Sequence, residues 1–113
     1  MNQDVKARWV EALQSGNFTQ GRGLLRSTDD RYCCLGVLCE VYRRYNHSNV
    51  DWALRENYTY YDFMVGEEIS AVDLPKTILA WAGLSARQAG TLIDLNDSDV
   101  PFDSIAKVID AFA

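Results

Sequence analysis

The stretch that decides the fold is RYCCLGVLCEVYRRY, residues 31–45. Its apolar residues recur at helical spacing and are Leu35, Leu38, Tyr42 and Tyr45. This spacing predicts a helix over 34–45, and a second apolar line beside the first predicts that most of the helix is buried. Gly36 within it costs about 1 kcal/mol relative to alanine. We therefore expect another part of the chain to pack closely against this glycine.

Two elements are predicted before this helix. Residues 3–15 form an amphipathic helix, because their apolar side chains fall on one face and the charged ones, Lys6 among them, lie elsewhere. The apolar face consists of Val5, Trp9, Ala12 and Leu13. Residues 17–34 are predicted as a β-hairpin, because the polar cluster at 27–30, Ser-Thr-Asp-Asp, is typical of a turn.

The middle of the chain predicts a second hairpin, over 46–72. Val50, Trp52 and Leu54 alternate with more polar residues, and the segment YTYYDFMV is rich in residues that favour strands. The turn between these two strands is expected at Glu56-Asn57.

Three helices are predicted after the second hairpin. The first covers 74–83, with Asp73 as its cap; the second covers 86–94 and starts at a capping box led by Ser85; the third covers 101–112. Between the last two, LNDSDV is interpreted as a loop of capping residues. A calcium loop is disfavoured there, because two of its required residues are absent. The fold class is therefore α+β, with about five helices around a small antiparallel sheet of one or two hairpins.

Composition indicates a single domain over 1–113, large enough to form one hydrophobic core. The net charge of −5 conceals two unlike halves, since residues 1–56 carry net +1 and residues 57–113 carry net −6. Seven of the eight arginines lie in the first half. An acidic chain disfavours binding to duplex DNA, and no apolar run approaches the length of a membrane span. The asymmetry indicates either a dipolar surface, an anion site in the first half, or head-to-tail self-association.

The three cysteines, Cys33, Cys34 and Cys39, are interpreted as reduced, buried thiols. They lack the spacing of a zinc site, and we expect no metal and no cofactor. Cys33 and Cys34 start the central helix, where free N–H groups could hold an anion and make one of these thiols the most acidic of the three. His47, the only histidine, is too far along the chain to serve as their base, so we expect no catalytic residue.

The candidate ligand residues combine guanidinium groups with aromatic rings. They are Gln20, Arg22, Arg26, Arg55, Tyr58 and Tyr60. Gly21 and Gly23 flank Arg22, and glycines in a strand mark a bulge or a close approach of a backbone or ligand. Arginine grips phosphates and tyrosine stacks on bases. The alternative is that these are ordinary side chains facing solvent.

Three segments, QGRGLLR, RYCCLGVLC and LND, resemble motifs of a group of small phage and prophage proteins without a settled activity. The resemblance implies a phage protein that acts in the cytoplasm of the infected bacterium, and proteins of this kind often inhibit host defence. One mechanism is a non-catalytic sponge, a homo-oligomer that holds a nucleotide-type immune signal. The alternatives are an inhibitor that binds a host defence protein through its Tyr/Arg-rich surface, and a small hydrolase of the signal.

Overall fold

The structure, a computed structural model, describes residues 1–45, 48–55 and 57–113. Within these ranges the elements are α1 (Gln3–Gln14), β1 (Thr19–Gln20), β2 (Arg31–Tyr32), α2 (Cys34–Tyr45), β3 (Val50–Leu54), β4 (Tyr61–Val65), β5 (Glu68–Ser70), α3 (Lys76–Ala82), α4 (Ala86–Asp97) and α5 (Phe102–Asp110). Strands β3, β4 and β5 form an antiparallel sheet, and β1 and β2 form a second, parallel pair. The α+β class predicted from the sequence is confirmed.

The helix α2 lies at the centre of the core, as its sequence predicts. Its first eight residues are all buried, and α1 and α4 pack against it. The indole N–H of Trp9, on α1, donates to the carbonyl of Cys34 at 3.0 Å. A Cβ placed on Gly36 would lie 1.8 Å from the carbonyl oxygen of Leu25. The close packing expected at this glycine is therefore present, and it fixes the path of the chain before the helix.

The predicted hairpin over 17–34 forms only around its turn, where Arg26 and Tyr32 make an antiparallel bridge. Asp30 has a left-handed φ of 59°, and Ser27 and Asp30 are hydrogen-bonded across the turn. The segment before the turn does not form the matching strand, because the fully buried Leu25 is drawn onto α2. Strand β1 instead pairs with β2 in parallel, with Gln20 opposite Tyr32.

The second hairpin is confirmed and extends to a third strand. Strands β3 and β4 pair with Trp52 opposite Phe63, and β5 pairs with the other edge of β4. Asn57 has a φ of 66°, which fits the predicted turn; Glu56 lies outside the described residues. The cap of α3 differs from the prediction, because the carboxylate of Glu68 accepts from the N–H of Thr77 at 3.3 Å, and Asp73 makes no such bond.

Two expectations about the other helices are also corrected. Helix α4 starts at the predicted capping box but continues to Asp97, so the beginning of LNDSDV is helical and not a loop. The sequence places Lys6 away from the apolar face of α1, but the side chain is buried and only 8% exposed. Its ammonium donates to the carbonyls of Asp110, at 3.1 Å, and of Phe112. It thereby binds the carbonyl end of α5, where the helix dipole favours a positive charge.

Candidate functional site

A buried carboxamide, that of Asn96 on α4, joins the three sequence motifs. Its side chain is fully buried. Its oxygen accepts from the side-chain amide of Gln20 at 3.0 Å and from the backbone N–H of Cys34 at 3.1 Å. Its amide nitrogen donates to the carbonyl of Gly21 at 2.8 Å. Since a buried polar group is costly unless it is hydrogen-bonded, this residue specifies how the three segments meet.

Gln20, expected to contact a ligand, uses its side chain within the protein. Besides its bond to Asn96, its nitrogen donates to the carbonyl of Val100 at 2.8 Å. Its oxygen accepts from the N–H of Phe102, the first residue of α5, at 3.0 Å. The amide of Gln20 therefore ties β1 to the start of the last helix.

At Cys33 and Cys34, where the sequence predicts an anion, N–H groups of the helix start are bonded within the protein. The N–H of Cys34 is bound by Asn96, and the N–H of Gly36 donates to the sulfur of Cys33 at 3.4 Å. Burial raises the pKa of Cys33 to about 11, and it raises the pKa of Cys34 further. Burial therefore opposes the acidified thiol predicted from the sequence, because desolvation of the thiolate acts against the effect of the helix start. All three cysteines are buried and unpaired with one another, as expected.

An open groove lies on the outer side of this buried cluster, and we name it the Arg groove. Its volume is about 550 Å³, and it is lined by Gln20, Gly21, Arg22, Arg31, Asn96, Asp99 and Pro101. Arg22 pairs with Asp99 at 3.0 Å, and both side chains are more than half exposed. The second guanidinium of the groove, that of Arg31, pairs with Asp29 at 3.1 Å. The sequence predicts Arg22 as a ligand residue but does not predict Arg31. The parallel pairing of β1 and β2 places Arg31 in the same groove as Arg22.

The remaining candidates lie beside the antiparallel sheet and do not line the Arg groove. Arg26 pairs with Asp30 at 2.7 Å, and its guanidinium carbon lies 4.1 Å from the ring centroid of Tyr61. Only 20% of its side chain is exposed. Arg26 therefore holds the turn against the sheet and offers little surface to a ligand.

The last three candidates are Arg55, Tyr58 and Tyr60, at the end of the β3–β4 hairpin. Arg55 pairs with Asp62 at 3.0 Å, and its guanidinium carbon lies 5.6 Å from the ring of Tyr58. The rings of Tyr58 and Tyr60 are 5.4 Å apart, and Tyr58 is 56% exposed. The six predicted site residues thus divide in two: Gln20 and Arg22 line the Arg groove, whereas the other four lie near the start of β4, where the N–H of Tyr61 donates to the carbonyl of Arg26 at 3.0 Å.

Comparison with known families places the chain. A family model described as a domain of unknown function, DUF8296, matches residues 1–113. The chain belongs to the DUF8296 family. No curated protein and no solved structure matches it.

The DUF8296 description assigns no activity. In the described parts of the chain, no group of three or more His, Cys, Asp or Glu residues is arranged to hold a metal ion. No helix there is long and apolar enough to cross a bilayer. His47 lies outside the described residues.

Proposed function

We propose that this DUF8296 protein is a phage accessory protein that counteracts bacterial defence as a non-catalytic sponge. It would act in the cytoplasm of the infected bacterium, where its Arg groove would bind a nucleotide-type immune signal. The phage origin is supported by the resemblance of the three sequence motifs. The binding is supported by one observation, that Arg22 and Arg31 line the same open groove.

The ion pairs in the groove can be exchanged for a ligand. Arg22 and Arg31 are 58% and 55% exposed, and each is paired with a carboxylate that is more exposed still. Exposed pairs of this kind contribute about 0–1 kcal/mol. A phosphate offers a guanidinium a stronger, bidentate partner. Little free energy is therefore lost when a ligand phosphate replaces Asp99 or Asp29.

Gly21 and the start of α5 also shape the groove. Gly21 packs directly against Arg31, since a Cβ at this position would lie 2.7 Å from the Cβ of Arg31. The positive end of the α5 dipole also lies at this groove, since Pro101 caps the helix and lines the groove. The volume of about 550 Å³ falls within the range of small-molecule sites.

The groove has charges for phosphates but no aromatic ring among the described residues that line it. Stacking on a base would have to come from elsewhere. The exposed ring of Tyr58, which packs against the half-buried ring of Tyr60, is suited to that role, and a homo-oligomer could bring it to the groove of a neighbouring copy. This is the arrangement that a sponge with shared pockets requires.

The test is a thermal shift measurement with a panel of cyclic nucleotides and ADP-ribose-type nucleotides. A ligand present at 100 times its Kd should stabilise the protein by about 2.7 kcal/mol. We expect the shift to disappear in Arg22→Ala and in Arg31→Ala, while Arg87→Ala, which removes an exposed arginine from α4, keeps it. The absence of a shift with every nucleotide would overturn the sponge.

A second candidate function is favoured by the surface at the end of the β3–β4 hairpin. Tyrosine and arginine are enriched at protein interfaces, and here Tyr58 is exposed beside Arg55 and Tyr60. This surface would bind a host defence protein directly. Plaque formation on bacteria that carry a defence system separates the two functions. The sponge is impaired by Arg22→Ala and Arg31→Ala, whereas the inhibitor is impaired by Tyr58→Ala and keeps its activity in both groove variants.

The third alternative, a hydrolase of the signal, predicts that chromatography detects a product after incubation with the nucleotide. Burial raises the pKa of the three thiols, which disfavours a cysteine as the nucleophile of such a reaction at neutral pH.

A further inference from the structure

The strand β3 forms one edge of the antiparallel sheet. The strand order is β3-β4-β5, and no other strand in the described ranges pairs with the outer side of β3. The opposite edge of β4 is occupied, since β5 pairs with it and the isolated bridge between Ser27 and Tyr60 continues that side. Unpaired edges are templates for another strand.

The hydrogen bonds at both ends of β3 show which backbone groups face outward. The backbone carbonyl of Asn49 accepts from the N–H of Gly66 at 2.9 Å, and the N–H of Arg55 donates to the backbone carbonyl of Tyr60 at 3.2 Å. Because the pattern alternates along an antiparallel strand, the odd-numbered residues bond to β4. The backbone groups of Val50, Trp52 and Leu54 therefore point away from the sheet.

The outward groups have little to bond within the described chain. The N–H of Trp52 is bound only by the neighbouring carboxylate of Asp51, at 2.8 Å. Leu54, at the end of the strand, is 59% exposed. A large apolar side chain beside an unpaired strand edge indicates an edge that is covered by a partner.

We propose that β3 is a dimerisation edge, which pairs antiparallel with β3 of a second copy about a two-fold axis at Ala53. This interface is independent of the proposed ligand and of the Arg groove. In this register each Asp51 lies opposite Arg55 of the second copy, and each Trp52 lies opposite Leu54 of the second copy. Opposite charges and aromatic–aliphatic pairs that face each other across strands both stabilise a sheet.

The charges on β3 select this register over its neighbours. An axis at Asp51 would place the two copies of that carboxylate directly opposite each other, and like charges in that position are destabilising. An axis at Trp52 would place Asp51 opposite Ala53, so neither Asp51 nor Arg55 would gain an oppositely charged neighbour. Only the axis at Ala53 places both charges of the strand opposite partners of the other sign, and it does so twice by symmetry.

Pairing also satisfies the groups that the single copy leaves exposed. The N–H of Trp52 would pass from Asp51 to the carbonyl of Leu54 in the second copy, which frees the carboxylate of Asp51 for the opposing guanidinium. Arg55 already extends along this face of the sheet to reach Asp62. The side chain of Leu54 would be covered by the opposing indole.

The test is a charge swap followed by analytical ultracentrifugation over a wide range of protein concentrations, without any ligand. We expect the unaltered protein to dimerise. Asp51→Arg and Arg55→Asp alone should each raise the dimer dissociation constant about tenfold or more, because each places like charges opposite one another twice. Mixing the two variants in equal amounts should restore dimers, and so should combining both substitutions in one chain. Glu67→Arg, which makes the same change of charge in the β4–β5 turn, is the matched control and should leave the dimer unchanged.

The charge swap remains informative if Arg55→Asp weakens the fold by leaving Asp62 without its partner. Circular dichroism detects that loss, and Asp51→Arg then carries the test alone, together with hydrogen exchange at Trp52 and Leu54. These two amides should be protected in the unaltered dimer and exchange faster in Asp51→Arg. A monomer at every concentration, or a dimer indifferent to Asp51→Arg, would overturn the proposal.

Discussion

At the scale of single residues, Asn96 is a polar side chain that connects three segments of the fold. It meets Gln20, Gly21 and Cys34 from one fully buried position. The sequence places it in LND, where an asparagine is typical of a cap or a loop. Its burial in a helix was therefore not predicted, because only the tertiary contacts with β1 and α2 reveal it.

Replacing Asn96 tests this role. Asn96→Ala leaves the N–H of Cys34, the carbonyl of Gly21 and part of the Gln20 amide without partners in the core. Each unsatisfied buried group costs about 1–3 kcal/mol, so we expect a loss of about 3–5 kcal/mol in the free energy of unfolding, measured with urea. The exposed Asn17 is the control, and Asn17→Ala should change stability by less than about 0.5 kcal/mol. Equal effects at the two positions would contradict the assignment.

Two helical glycines provide a pair of opposite predictions. In Gly36→Ala the new methyl group would lie 1.8 Å from the carbonyl oxygen of Leu25, so the chain there must move. Such overpacking costs about 1–3 kcal/mol or more, which exceeds the gain of about 1 kcal/mol in helix propensity. At Gly90, on α4, no atom lies within 4 Å of the added methyl group. Gly90→Ala should therefore stabilise the protein by up to about 1 kcal/mol, and thermal unfolding of both variants measures the contrast.

At the scale of the elements, local periodicity predicted all five helices and the β3–β4 hairpin. These elements are specified by residues close together in the sequence, such as the alternation through Trp52. The pairing of β1 with β2 could not be predicted in this way. It depends on the packing of Leu25 against Gly36 and of Gly21 against Arg31. Both contacts join segments that are separated in the sequence, so local periodicity does not reveal them. The Arg groove depends on the same pairing, which explains why Arg31 was missed.

Glu40 links two of these elements and gives a prediction about pH. Its side chain is 8% exposed and accepts hydrogen bonds from Arg43, Arg44 and the indole of Trp52 on β3. Burial alone would raise the pKa of this carboxyl, but the three donors outweigh burial and hold the pKa below its ordinary value of 4.5. A depressed pKa stabilises the folded state above pH 4.5, and this stabilisation is lost as the pH falls through the lower, folded value.

We therefore expect Glu40→Gln to reduce the free energy of unfolding by about 2 kcal/mol at neutral pH. The difference from the unaltered protein should shrink as the pH falls below 4.5. Urea unfolding over a series of pH values measures this difference. Glu67→Gln, which replaces an exposed carboxylate, is the control and should leave the decline of stability at acid pH unchanged. A difference independent of pH would show that the carboxylate charge of Glu40 contributes nothing.

At the scale of the whole molecule, the motifs of the sequence have mainly a structural meaning. The three motifs, QGRG, CCLGVLC and LND, meet at Asn96. The indole of Trp9 donates to the carbonyl of Cys34 at the same place. The residues that we propose for function lie outside this centre, in the Arg groove and along the hairpin of β3 and β4. The two halves of unlike charge also meet in ion pairs, those of Arg22 with Asp99 and of Arg55 with Asp62.

The three thiols report on the cooperativity of this single core. Cys33 is 7% exposed, and Cys34 and Cys39 are fully buried. Burial raises the pKa of each, so at neutral pH a disulfide reagent should label the folded protein slowly. We expect all three to react together, at a rate that follows global unfolding and rises with urea, while the protein in guanidinium reacts at once. Because the folded state holds these protons more tightly, stability should also fall as the pH rises above 9.0, the ordinary thiol pKa. One cysteine that reacts rapidly in the folded protein, at a rate proportional to reagent, would instead restore the reactive thiol predicted from the start of the central helix.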